Sequence, residues 1–527
     1  MPKSDLRIDI LGTDISISAE EEKEYLDKLL SKYRKTIEDV QEKTGLKDPL
    51  KIAVLTGFLL CDDLEKAGAA PKKAAEDFDI EEQGEVERLT LSMISRLDEL
   101  PLKVPDISMS GTLQSILKLQ NTVKHYEWGS AEWIPALLGQ KNISRIPWAE
   151  LWMGINPASP SRVIENDLAG DAPATLLSEV INRDPRAFLG AEIVERFGTL
   201  PFLFKVLAAA KPLSIQAHPN SEQAREGFDR ENQLGIPFDA PNRNYRNPNH
   251  KPEIICALGP FEALCGFRET TEILFLMEIL SLESEEISRE DLERLIFTLK
   301  QGDNPIKAFL SVLFNMEAEI IKAIGELIKE KQEQLENDFP EYKDEWKISS
   351  YFASLYPCDH GLLAPLYLNI VELQQGEAIY LPAGVFHAYI QGMGIELMAD
   401  SDNVLRGGLT KKHIDQEELF RVLNFSAYKP QIIKVPNPSP SWFIYPTPFG
   451  DFTLSVIQRS PQTQSVIPYH ETGPSIVIIT EGNASVTRIG DDFGRSFSKG
   501  ESFFIPAGIN LEFNGTFTAY AASCKST

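Results

Sequence analysis

Gly376-Glu377-Ala378-Ile379-Tyr380-Leu381-Pro382-Ala383-Gly384 is matched 124 residues later by Gly500-Glu501-Ser502-Phe503-Phe504-Ile505-Pro506-Ala507-Gly508. Each copy is an apolar run of strand length closed by a Pro-x-Gly turn, and two such copies point to a duplicated unit. Short β-like runs broken by Gly and Pro surround both, which fits a pair of jelly-roll barrels. The first copy runs on to His387, whereas the equivalent place in the second is Leu511. One barrel has a metal-type ligand where the other has a hydrophobe, so chemistry is expected in the first.

Outward from the repeat, the β-like texture begins near residue 112, gives way to helical periodicity between Thr270 and Glu345, and returns after Pro357. Ile306 to Leu335 keeps helical spacing over several turns. The first 108 residues read differently. Ile8 and Ile10, then Ile15 and Ile17, alternate with polar residues around Leu11-Gly12-Thr13-Asp14, the pattern of a hairpin. Glu20 to Lys43 repeats Leu26, Leu29, Leu30, Tyr33, Ile37 and Val40 at helical spacing, and a second helix runs through Ile52, Val54, Leu55, Phe58 and Leu59. The apolar arc of that second helix is broad, which suits a small module that completes its core by dimerising. Asp98 to Ser110, with Pro101 and Pro105, reads as a linker. The expected fold is mainly β: two jelly-roll barrels with a helical insert, preceded by a small α+β module. The expected division is 1–108 for an oligomerisation module, 109–269 with 361–429 for the chemical barrel, 270–360 for the helical insert, and 430–527 for a barrel without the metal ligand.

Composition excludes several classes. A chain of 527 residues is too long for one core, and 43% hydrophobic with 25% charged residues is ordinary for globular proteins. The formal net charge of −26 disfavours nucleic acid and anionic membrane surfaces as partners. It leaves open a small anionic substrate, because a few local Lys and Arg reverse the field inside one pocket. Five cysteines with no C-x-x-C pair make no disulfide framework, and the N-terminus has no apolar stretch of signal type. A cytoplasmic protein is expected.

The chain has seven histidines, and two sit in informative surroundings. Gln216 and His218 follow the apolar run Leu213-Ser214-Ile215, and residues two apart on a strand point to the same face. His387 completes Gly376-x5-Pro382-x-Gly384-x2-His387, a spacing that puts a ligand at a barrel mouth. Glu253, in His250-Lys251-Pro252-Glu253, supplies a fourth ligand. Two neutral imidazoles, one carboxylate and one amide oxygen leave a divalent metal with net positive charge, as in a catalytic zinc site. Each motif alone also has an ordinary reading, as a chance Q-x-H or a turn histidine.

From about Leu117 to the C-terminus the chain resembles the type I phosphomannose isomerases, a family of the cupin superfamily. The likeness is carried by Tyr126-Glu127-Trp128-Gly129, Ala149-Glu150-Leu151-Trp152-Met153-Gly154, Leu200 to Leu207, Leu213 to Pro219, Asn249 to Glu253, Leu264 to Arg268, His387-Ala388-Tyr389 and Ser401 to Thr410. The resemblance implies one zinc ion per chain held by Gln216, His218, Glu253 and His387, and a catalytic arginine at Arg406. It further implies that Lys205, Ser214, Lys412 and Trp128 hold the substrate, and that Lys251, Tyr389, Glu396 and Asp402 complete the pocket. Two departures bear on the pocket's edge: Asn156 where the family often has His, and Gly384-Val385-Phe386 ahead of His387. The first 65 residues resemble ZapA-type cell-division domains through Arg7-Ile8-Asp9-Ile10-Leu11-Gly12 and Lys51-Ile52-Ala53-Val54-Leu55. That implies self-association, with a plain oligomerisation module as the other reading.

The reaction so implied interconverts mannose 6-phosphate and fructose 6-phosphate through a cis-enediolate. Arg406, always protonated and able to donate two hydrogen bonds, suits the developing oxyanion. Glu396 lies between Ile395 and Leu397, and both proton transfer and hydroxyl positioning fit it; Asp402 either shares that work or pairs with Arg406. Lys412 has the best claim on the phosphate. The metal either polarises the carbonyl or orders the hydroxyls. The rival classes are a non-catalytic sugar-binding protein, an assembly protein with a vestigial isomerase, and an isomerase for a different phosphosugar.

Overall fold

The run Phe202-Leu203-Phe204-Lys205-Val206-Leu207-Ala208-Ala209 is buried along its whole length. A strand that apolar on both faces belongs inside a covered sheet, and it lies within a nine-stranded one. The computed structural model describes residues 4–10, 13–19, 33, 35–37, 116–164, 175–238, 240–284, 286–462, 465–491 and 494–524. By contacts the chain divides into two units, Met1–Pro105 and Asp106–Thr527. In the first unit, Ser4–Ile10 and Thr13–Ala19 pair antiparallel, with Ile8 opposite Ile15, which is the expected hairpin. Tyr33 and Lys35 to Ile37 are helical, as their spacing predicts. The second expected helix and the linker lie outside the described residues.

In the second unit the nine-stranded sheet runs Leu368–Leu373, Glu253–Phe267, His387–Ala399, Phe202–Ala209, Glu150–Met153 and Thr122–Lys124. Three short strands complete it. Ala378–Leu381 pairs with Glu253–Phe267, while Gln216–Ala217 joins His387 on one side and Leu405–Arg406 on the other. A ten-stranded sheet is built mainly from strands between Trp442 and Ser523. It also takes in Leu117–Gln120 and Arg162–Ile164, through pairing of Ser502 with Leu119 and of Leu119 with Val163.

The sequence repeat is also a repeat in space. Ala378–Leu381 and Ser502–Ile505 are both strands. The glycines at their ends, Gly376, Gly384, Gly500 and Gly508, all adopt left-handed φ of +73° to +87°, a conformation that costs other residues a backbone–Cβ clash. Register extends the equivalence beyond the motif. Leu381 is paired with Glu253 and Ile505 with Ser475, while His387 is paired with Gln216 and Leu511 with Tyr469. Glu253 and Gln216 thus correspond to Ser475 and Tyr469.

The helical segment comprises Thr270–Glu283, Glu286–Leu299, Pro305–Phe314, Ala318–Asp338 and Lys343–Leu355. The single expected run from Ile306 to Leu335 is broken after Phe314. The helix from Pro305 starts on a cap, where Asn304 Oδ1 accepts from Lys307 N at 3.1 Å. Strands return only at Leu368, later than expected after Pro357, because His360–Leu363 and Ala364–Tyr367 form two further short helices. Pro365 is no obstacle there, since it stands in the first turn, where no N–H is needed. Among the described residues helix takes 32% and strand 31%, so "mainly β" gives way to a sheet-rich fold with an equal share of helix.

Candidate metal centre and active site

His218 and His387 are both buried, and a backbone carbonyl fixes each ring. His218 Nδ1 lies 2.9 Å from the Asn403 carbonyl and His387 Nδ1 lies 2.9 Å from the Val385 carbonyl. A carbonyl only accepts, so both Nδ1 atoms carry the proton and both Nε2 atoms present lone pairs. Those lone pairs face Glu253 Oε2, at 3.4 Å from His218 and 3.6 Å from His387. The other carboxylate oxygen of Glu253 is 3.0 Å from Lys251 Nζ. His218 Nε2, His387 Nε2 and Glu253 Oε2 are all buried without a hydrogen-bond partner, and their ligand atoms lie within 4.8 Å of one another.

Three electron pairs aimed at one buried point repel one another unless a cation stands between them. At His218 a proton does not supply that cation. Burial, and next the Lys251 charge, lowers the His218 pKa to about 4, so its ring is neutral at pH 7. Burial opposes the charge of Glu253 too, but the Lys251 charge leads the influences that offset it, and the carboxyl is held well below its usual range. Neutral imidazoles with an ionised carboxylate are the donor set of a divalent transition metal. Gln216 stands beside them, paired with His387 across one strand edge and with Arg406 across the other.

A second buried group adjoins this centre. Lys205 Nζ is 3.0 Å from Glu396 Oε2 and 3.6 Å from Glu150 Oε1. Trp152 Nε1 donates to Glu150 Oε2 at 2.8 Å, and its ring lies 5.2 Å from Lys205 Nζ. Burial alone would neutralise Lys205, but Glu150 and Glu396 outweigh it and raise its pKa. Burial raises the Glu396 pKa despite Lys205. The Tyr389 hydroxyl is buried without a hydrogen-bond partner, and burial together with Glu396 and Glu253 raises its pKa. Trp128 is half-buried, packs against the cluster containing Tyr389, and stacks on Tyr126 at 5.7 Å.

The cations expected to meet the substrate form a third group. Burial lowers the pKa of Arg406, and next the charge of Arg246. Lys412 is lowered by burial, then by Arg406 and Arg246. Asp402 and Ser214 are half-buried nearby in sequence, and Ser214 comes two residues before Gln216. Arg246 escaped sequence reading because nothing in Asn244-Tyr245-Arg246 separates it from a surface residue. Asn403, quoted only within a longer block, is a connector. It is fully buried, its Oδ1 accepts from Arg246 N at 2.8 Å, its Nδ2 donates to the Asn247 and Asn249 carbonyls, and its own carbonyl holds His218.

Both sequence departures are harmless to the metal cluster. Asn156 Nδ2 donates to Asp400 Oδ1 at 3.0 Å and reaches no ligand. Ahead of His387, Val385 contributes its carbonyl, which any residue supplies, and Phe386 is buried against Phe267. All four cysteines among the described residues are free, and no described helix is long and apolar enough to cross a membrane.

A buried His–Glu–His cluster that could hold a metal ion, adjoined by an ion-paired lysine and with Arg406 and Lys412 repelling each other, is the kind of centre a metal-dependent enzyme has. The family model "Phosphomannose isomerase type I, catalytic domain" matches residues 116–270. Mannose-6-phosphate isomerase of Escherichia coli (strain K12) is 39% identical over 392 residues, 74% of this chain and 94% of that protein. Mannose-6-phosphate isomerase 2 of Arabidopsis thaliana is 33% identical over 421 residues, 76% of this chain and 91% of its own length. A crystal structure of mannose 6-phosphate isomerase from Salmonella typhimurium, bound to its substrate and a zinc atom, superposes with a TM-score of 0.69 at 34% identity, covering 78% of this chain and 100% of that one. The chain belongs to the type I phosphomannose isomerase family, enzymes of the isomerase class. At its N-terminus the family model of cell division protein ZapA matches residues 6–100, further than the 65 residues the sequence motifs span.

Proposed function

We propose that this chain interconverts mannose 6-phosphate and fructose 6-phosphate at a zinc centre held by Gln216, His218, Glu253 and His387. The observation that carries the reading is the trio of buried, unpartnered acceptors His218 Nε2, His387 Nε2 and Glu253 Oε2. When bound, zinc supplies a Lewis acid beside the sugar's carbonyl and hydroxyl oxygens.

The remaining work falls to the chain's own residues. The proton leaving C2 of the aldose returns to C1, and the O2 proton passes to O1, by way of a cis-enediolate. Glu396 moves the carbon-bound proton, since burial raises its pKa toward the range a general acid or base needs. Lys205 holds that carboxylate in place at 3.0 Å. Arg406 donates to the enediolate oxygens as charge develops, with Asp402 orienting it. Lys251 fixes Glu253, while Tyr389 and Trp128 wall the sugar. Lys412, Ser214 and Arg246 take the phosphate, and mutual repulsion between Arg246, Arg406 and Lys412 is what a dianion relieves.

The nine-stranded sheet would form the chemical barrel of 109–269 with 361–429, and residues 430–527 the second barrel. The N-terminal module would serve self-association, in the cytoplasm. The test is isomerisation of mannose 6-phosphate by the zinc-replete full chain, repeated after chelation and with Arg406→Ala. Loss of activity in both controls supports the reading. Full zinc content without turnover points to another sugar phosphate.

A further inference from the structure

The turn that follows Arg406 is gripped by the end of the helical segment. Asp359 Oδ1 accepts from Gly361 N at 2.8 Å and Oδ2 from Thr410 N at 3.1 Å. His360 Nε2 lies 3.2 Å from the Gly407 carbonyl, and as a carbonyl only accepts, that nitrogen donates. The Phe314 ring packs against His360, tilted by 41°, with centroids 3.9 Å apart. Thr410 Oγ1 in turn accepts from Lys412 N at 3.1 Å. The two segments meet backbone to backbone: a Cβ on Gly361 would stand 2.9 Å from Leu409 N, and one on Gly408 3.1 Å from Gly361 Cα. Between the held residues, Leu409 is a non-glycine at φ +52°, buried in the core of the helical segment. A backbone in that region persists only where its surroundings over-determine it.

We propose that Asp359 and His360 are positioning residues: by holding Thr410 and Gly407 they set where Arg406 and Lys412 meet the substrate. The proposal rests on the reading of those two cations as substrate-binding groups. It gives the helical segment a part in catalysis that its distance along the chain from the metal ligands conceals.

The test compares full-length, zinc-loaded Asp359→Ala, Asp359→Asn, His360→Ala and His360→Gln, beside Arg406→Ala and Lys412→Ala, for KM, kcat and zinc content. Asp359→Ala lowers kcat/KM about 10- to 100-fold, mostly through KM, since a misplacement of about 1 Å costs on that order. His360→Gln keeps an N–H donor and returns to within about threefold of wild type, whereas Asp359→Asn keeps one acceptor oxygen but turns its NH2 toward the other backbone N–H and recovers only part of the loss. Zinc content stays at the wild-type level, which separates positioning from collapse of the site. Because the strut acts through both cations, Asp359→Ala added to a variant that already carries Arg406→Ala and Lys412→Ala costs nothing further. Should Asp359→Ala lose its zinc, His360→Ala against His360→Gln decides the matter. Alanine variants within about twofold of wild type, or a loss from Asp359→Ala that persists when both Arg406 and Lys412 are already alanine, overturn the proposal. Unchanged kinetics in Arg406→Ala and Lys412→Ala would instead sink the underlying reading of the cations.

Discussion

Replacing Lys205 by methionine should destabilise the protein by an amount that grows with pH. In the native chain one buried ammonium serves two buried carboxylates, Glu396 at 3.0 Å and Glu150 at 3.6 Å. Removing one partner of a buried pair leaves uncompensated charge and costs about 3–5 kcal/mol. The variant has one escape, which is to protonate the carboxylates. The pKa of Glu396 is already raised by burial, and Lys205 is the strongest influence holding it down, so it rises further in Lys205→Met. The folded variant then holds protons that the unfolded chain releases above about pH 4.3. Where the native state binds more protons, stability falls as pH rises, by about 1.36 kcal/mol per pH unit for each such group. In the wild type the opposite sign governs. The Lys205 pKa is raised, so its contribution is fully present below the unfolded value of about 10.4 and is lost only above it. Between pH 5.5 and 8 the Lys205 contribution to the wild type is therefore flat; Glu396 gives the wild type a fall with pH that ends at its own raised pKa, and in Lys205→Met the fall continues to higher pH, so the penalty widens by up to about 3 kcal/mol. Urea unfolding at both pH values, followed by tryptophan fluorescence, measures it. A penalty equal at the two pH values, or none at pH 8, would refute the reasoning.

Other outcomes follow from the same geometry. His387→Leu, which installs the residue type of Leu511, should fold yet bind no zinc by metal analysis and lose isomerase activity. Arg406→Lys, which keeps the charge but not the planar two-point donor, should lower kcat about 10²-fold or more with zinc content unchanged. Arg246→Ala should raise KM for the sugar phosphate about three- to tenfold at nearly constant kcat, and weaken inhibition by inorganic phosphate. A chain beginning at Asp106 should retain kcat while losing mass in light scattering, since Met1–Pro105 forms a separate contact unit.

The buried trio was legible in part, because two of its members stand in local motifs. His218 follows an apolar run, two residues after Gln216, and His387 closes a turn whose glycines the backbone demands. The ion-paired group was only half legible. Lys205 came to notice only through the resemblance, within Leu200 to Leu207, and its partners come from register: Glu396 and Trp152 are each directly opposite Lys205 on neighbouring strands. Nothing in Ala149-Glu150-Leu151-Trp152 names Lys205 as the partner of that carboxylate. The capture of Leu117–Gln120 by the far sheet was hidden for the same reason, since strand order is a property of long-range contacts. The split of the expected helix after Phe314 escaped notice because apolar spacing continues across it.

The duplicated sheets show why only one of them is equipped for chemistry. At the places register equates with Gln216, Glu253 and His387, the second sheet has Tyr469, Ser475 and Leu511. The Tyr469 hydroxyl donates to Ser475 Oγ at 2.9 Å, and its ring packs on Trp442 and Phe513 at 5.1 and 5.6 Å. Leu511 is fully buried in the same cluster. Every polar group that would need a cation in the first sheet is replaced by one that satisfies itself or needs nothing. The first sheet keeps three mutually repelling acceptors at the equivalent point, an arrangement that costs stability without a cation. A fold that carries both solutions had the filled one open to it, so the unpartnered arrangement at His218, Glu253 and His387 is not one that folding requires.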